Sequence, residues 1–210
     1  MASVDTSLRP FVPGTTGWSA SDLDDPEIER IWFQGRYELV DGALTTLAPA
    51  YFIGGEALSN LLVICHTYDR EHGLGGSFPM EADIIVDESH VFVADFVYLS
   101  AKDRKLQRVA TRRAGRHDPA RTRILVPPTL IVESVSPGHE QHDRRTKMRW
   151  YAEFGVPNFW ILDAFKKSLD CHVLEGSAYR LEASGRNSQS VSPSLFPGLK
   201  ISLADLWPKK

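Results

Sequence analysis

Two acidic residues stand alone in otherwise apolar strands, and their placement is the first sign of chemistry in this chain. From Leu130 to Val135 every residue is apolar except Glu133 and Ser134, and strand alternation puts Glu133 on the face of Ile131 and Val135. In the stretch Val91 to Leu99, Asp95 shares a face with Val91, Val93 and Val97. An isolated ionised carboxylate among core residues is costly, so each must find a cation, a metal, a donor network or an edge open to water. If the two strands are neighbours, both carboxylates can enter one pocket, where a divalent cation would relieve their mutual repulsion. The competing arrangement pairs one acid with a buried arginine and leaves the other at an edge. The residues alone leave these two readings even. Glu38, in the run Arg36 to Val40, is a third acid, and on sequence alone it reads as a solvent-facing strand residue.

The segment from Pro127 to Asp163 must position Glu133. It reads as a buried strand over 129–135, a break at Ser136-Pro137-Gly138, a helix from about Glu140 to Phe154 stopped by Gly155, and a second apolar strand over 158–163. Lys147 stands four residues after Asp143 and four before Tyr151, so the three share a helix face. Tyr151 and Phe154 are what that helix should bury, and Lys147 turns inward with them. His139 and the pair His142-Asp143 form a rival metal cluster, but polar residues on the first turns of an exposed helix are the simpler reading. Elsewhere, Asp25-Pro26 opens a short helix ending near Gly35, Asp41-Gly42 marks a tight hairpin, and residues 56–71 carry apolar side chains at helical spacing. A second hairpin turns at Glu88-Ser89-His90, and strands flank Glu175-Gly176.

The composition suits one packed domain, 21–210, preceded by a loosely ordered arm over residues 1–20; 42% of the 210 residues are hydrophobic. The net charge of -3 hides an asymmetry, because 102–123 carries nine Lys or Arg against Asp103 and Asp118. That stretch shows no apolar periodicity and reads as a long surface loop with some helix; its charge suits an anionic partner, and equally a solvated basic loop with no partner. Cys65 and Cys171 stand in no metal-binding spacing and need no oxidising compartment. With no leader-like segment and no long apolar run, a cytoplasmic protein without a membrane span is expected. Trp18, Trp32 and the unpatterned N-terminal arm offer apolar material that one domain need not bury, which suggests a homodimer.

Together the motifs resemble the Uma-two family of restriction endonucleases. The resemblance is carried by RYELVDG, VADFVYLS, IVESVSP, the D-x3-K-x3-Y spacing of Asp143, Lys147 and Tyr151, GVPNFWILD and LFPGLKISLADLW, and covers roughly residue 30 onward. It implies the PD-(D/E)XK nuclease superfamily and a mixed α/β fold: a restriction-endonuclease-like central mixed sheet flanked by helices, with additional β-hairpins. It implies Asp95 and Glu133 as metal-binding acids, Glu38 as an additional site acid, and Lys147 as the lysine moved from the strand to the following helix. The expected activity is metal-dependent hydrolysis of phosphodiester bonds in DNA with Mg2+ or Mn2+, while Arg112, Arg113 and Arg116 meet the nucleic acid. The alternative is a nuclease fold that binds nucleic acid or protein without cutting. Two departures stand out. Ala94 replaces a proline, and residues 50–54 (Ala-Tyr-Phe-Ile-Gly) replace a segment that usually holds Ser-Pro and a His.

Overall fold

The computed structural model describes residues 10–47, 51–114, 123–135 and 142–208, with the side chains of 142–144 excepted. The chain falls into two compact units, one formed by 1–47 and 84–93 and the other by 48–83 and 94–210.

In the first unit, helix α1 (Pro26–Gly35) begins where the sequence places it. The Asp25 carboxylate accepts from the Glu27 and Ile28 amides, and Pro26 occupies the first turn. Strands β1 (Tyr37–Val40) and β2 (Ala43–Thr46) form the expected hairpin. Asp41 and Gly42 both adopt positive φ, 51° and 70°, which is the geometry a two-residue turn between twisted strands demands. Leu39 of β1 pairs with Val91 at the start of β4 (His90–Tyr98). Trp18 and Trp32 are buried here with Leu23, Ile28 and Leu44, and Phe11 packs edge-on against Trp18 with ring centroids 4.7 Å apart. The expectation that the two tryptophans lie uncovered is therefore corrected: their own unit buries them.

The second unit is built on α2 (Phe52–Glu71), whose Ala57, Leu58, Leu61, Cys65 and Tyr68 are buried as their spacing requires. It starts four residues before the expected Glu56 because the glycines at 54 and 55 are taken into its first turn. β3 (Met80–Asp87) and β4 form the second hairpin, each contributing residues to both units. Within 102–123, read as a loop with some helix, helix α3 (Ala101–Arg113) takes up every residue to 113, while 115–122 lie outside the described residues. Its signal lies in the cap: Ser100 accepts from the Asp103 amide, and Asp103 accepts from that of Ser100. None of its residues is buried, which is why apolar periodicity could not reveal it. The short β5 (Arg123–Ile124) precedes β6 (Leu130–Ser134).

A π-helical segment, His142–Lys147, runs into α4 (Met148–Phe154), which Gly155 ends at φ 87°. Then come β7 (Asn158–Asp163), β8 (Ser168–Glu175), β9 (Ala178–Arg186), β10 (Ser190–Val191) and β11 (Ile201–Ser202). Within this unit β4 pairs antiparallel with β6, β6 parallel with β7, and β7–β8–β9 form an antiparallel meander. The parallel step is the expected strand, helix, strand crossover. The sheet is thus mixed, and the expected mixed α/β class holds. Leu130 and Val132 join Trp160, Leu162 and the apolar stripe of α2 in one core. Alternation turns Ile131 and Glu133 to the other face, where Tyr151 of α4 meets Phe159 of β7 with ring centroids 5.5 Å apart. Among the described residues no helix is long and apolar enough to cross a membrane.

Candidate active site

Asp95 and Glu133 stand on paired strands. The ladder between β4 and β6 registers Tyr98 with Leu130, Val97 with Ile131 and Phe96 with Val132, and ends one step before Asp95 and Glu133. The half-buried Asp95 does not simply continue the ladder: its Oδ2 accepts the Ser134 amide at 2.5 Å, so a side chain satisfies backbone that the strand partner leaves.

Glu133 is 2% exposed and Lys147 3%. Lys147 Nζ donates to Glu133 Oε1 at 3.2 Å, and the Tyr151 hydroxyl donates to the same oxygen at 2.7 Å. The π-helical turns place Lys147 at the entry to α4, and Tyr151 follows one α-turn later, so both side chains descend on one carboxylate. Glu133 thereby acquires the cation its burial demands, and the inward turn of the Lys147 face follows the burial of Tyr151. The sequence marks Tyr151 as a residue for the core, and its four-residue spacing from Lys147 is the signal that it shares the lysine's target.

Glu38 lies in the first unit and is 1% exposed, so the solvent-facing reading is overturned. Its Oε1 accepts the Val93 amide at 3.0 Å, two residues before Asp95 on the same strand. Arg112 and Arg113 are exposed in the last turn of α3, while Arg116 lies outside the described residues. The base of that helix is fixed to the start of β6, because Asp103 Oδ2 accepts from both the amide and hydroxyl of Thr129. His139 lies outside the described residues, as do the side chains of His142 and Asp143.

Among the described residues, no group of three or more His, Cys, Asp or Glu is arranged to hold a metal. Carboxylates on two paired strands are nonetheless a donor set that fits Mg2+, a hard cation commonly held by one or two carboxylates with several waters retained. An ionised carboxylate offers about four acceptor sites, so the bonds from Ser134, Lys147 and Tyr151 are compatible with a metal bond on the same groups.

Comparison with known proteins agrees with this architecture. No curated protein sequence matches the chain. Among solved structures, it is similar to a putative nuclease belonging to DUF820 from Anabaena variabilis ATCC 29413, with a TM-score of 0.63 and 14% identity over 82% of this chain and 90% of that one. At that identity the likeness is one of fold. A family model, Uma2, described as putative restriction endonuclease, matches residues 30–204. That span holds the Asp95–Glu133 pair, Lys147 and Tyr151, and the chain belongs to the Uma2 family.

Proposed function

We propose that this protein is an endonuclease that hydrolyses phosphodiester bonds in DNA with the help of Mg2+ or Mn2+, and that residues 21–210 act as its nuclease domain. The observation that carries the reading is the buried Glu133–Lys147 pair, with Asp95 on the neighbouring strand bonded to the residue that follows Glu133. Hydrolysis needs a water made nucleophilic near neutral pH and positive charge where the transition state gathers negative charge. Asp95 and Glu133 would hold the divalent ion, which when bound supplies Lewis-acid charge at the phosphate and eases deprotonation of water. Lys147 offsets the like charges of the two acids in the resting protein and stabilises the phosphate charge that grows in the transition state. Tyr151 fixes the Glu133 carboxylate. Glu38 is the additional acid of the family pattern. Arg112 and Arg113, exposed in the last turn of α3, contact phosphates together with Arg116.

A non-cutting binding module has one observation in its favour: Glu133 Oε1 already accepts from both Lys147 and Tyr151, a satisfied network that stands without a metal. The two readings separate in one experiment. Plasmid, single-stranded and branched DNA are incubated with the protein across a Mg2+ and Mn2+ titration. Metal-dependent nicking that disappears in Asp95→Asn supports the nuclease. Binding without cleavage at any metal concentration supports the module.

A further inference from the structure

At the carboxyl end of β6 and β7 the second unit exposes three aromatic side chains. Phe52 opens α2 and is 83% exposed, Tyr51 just before it is 43% exposed, and Phe165 in the turn after β7 is 45% exposed. Tyr51 and Phe165 meet edge to face with ring centroids 5.4 Å apart, so residues more than a hundred positions apart form one cluster. Lone exposed apolar residues need no explanation, but an exposed aromatic pair with a third exposed aromatic next to it in the chain does. None of the three belongs to either core described above.

The surroundings define what would cover it. Phe165 leads directly into Lys166 and Lys167, both exposed, and the first turn of α2 carries no acid. Lys166 also reaches Asp163 Oδ2 at 3.3 Å, which fixes the turn that presents Phe165. The cluster lies at the sheet end where Glu133 sits. A Cβ on Gly54 would come within 3.1 Å of the Ser134 Oγ, so the start of α2 abuts the residue that follows Glu133. The Val135 amide bonds to the Leu162 carbonyl, which puts the turn carrying Phe165 beside the end of β6. Ser134 faces α2 and Glu133 faces α4, so a strand laid over this edge of the sheet meets both.

We propose that Tyr51, Phe52 and Phe165 form a stacking platform for unpaired bases, with Lys166 and Lys167 on the adjoining phosphates, so that the substrate enters as single-stranded or locally opened DNA. Exposed π-faces with interleaved cations are the sequence-tolerant device by which proteins hold single strands, and in a duplex the bases are stacked on each other and withheld from such a surface. The assignment deepens the nuclease reading by naming its substrate class.

The test is binding, read by fluorescence anisotropy with labelled oligo(dT) and with a duplex of equal length, in EDTA so that cleavage does not intervene. Phe52→Ala and Phe165→Ala should each weaken oligo(dT) binding about tenfold while changing duplex binding less than twofold, and Phe52→Trp should retain wild-type affinity. Because Phe52 is largely solvated, its truncation removes little packing, and circular dichroism checks that the variants are folded. Unchanged oligo(dT) affinity in both alanine variants, or equal weakening toward duplex, overturns the platform. Cleavage by the wild-type protein is scored separately, so a platform that fails while plasmid is still nicked leaves the nuclease reading standing. A protein that stacks oligo(dT) but cuts nothing refutes that reading and keeps the platform.

Discussion

Lys147 and Glu133 are fourteen residues apart in the chain and form a buried ion pair at 3.2 Å. Removing one partner of such a pair leaves an uncompensated buried charge, which typically costs about 3–5 kcal/mol, whereas a surface pair would cost almost nothing. Lys147→Met should therefore lower unfolding free energy by that amount and abolish cleavage. The double variant Lys147→Met with Glu133→Gln should recover part of the loss, with a coupling of at least about 1 kcal/mol in urea denaturation. Additive losses would mean that the pair contributes no net interaction.

Tyr151→Phe removes the shorter of the two bonds to Glu133 and keeps the ring that packs on Phe159. A hydrogen bond to a charged group contributes about 1.5–3 kcal/mol, so a loss in that range is expected. Cleavage should fall less than in Lys147→Met, because the tyrosine acts by positioning the carboxylate. The comparison of single-turnover rates for the two variants checks this ordering.

Asp95→Asn and Glu133→Gln should each abolish metal-dependent cleavage and weaken Mn2+ binding measured by calorimetry. Glu38→Gln keeps an oxygen acceptor for the Val93 amide, so near-native melting with reduced cleavage is expected of an additional site acid. Wild-type activity in Glu38→Gln would reduce its role to holding Val93.

Neutralising Arg112 and Arg113 at the end of α3 should weaken duplex binding for all sequences. Each lost phosphate contact flattens the plot of log affinity against log salt by about 0.9. A slope identical to wild type would make this helix a solvated face.

Burial pushes the Cys65 thiol up to about 12 from its usual 9.0, and burial also raises Cys171 well above that value. Both should resist thiol-specific reagents in the native protein at pH 8 and react fully in denaturant. A raised folded-state pKa stabilises the fold below the ordinary thiol pKa. That contribution declines as pH rises from about 9 toward 12, so alkaline unfolding should begin in this window and shift when Cys65 is replaced by alanine.

Periodicity and punctuation made most of the elements legible. The caps of α1, the Asp41-Gly42 turn and the alternation around Asp95 and Glu133 are local signals, because they depend on backbone geometry within a few residues. The outlying acids were visible for the same reason: a charge in an apolar run is a contradiction that sequence displays directly. Helix α3 was obscured because it buries nothing and so leaves no apolar period. Trp18 and Trp32 looked uncovered because the residues that enclose them, Leu39, Leu44 and Val91, come from later strands. Sequence could count the carboxylates and range Lys147 with Tyr151 on one face. Only the tertiary structure decided that this face closes over Glu133 and that Asp95 turns to the Ser134 amide. Strand order and register are set by packing among segments distant in the chain, and no local preference encodes which strand lies beside which.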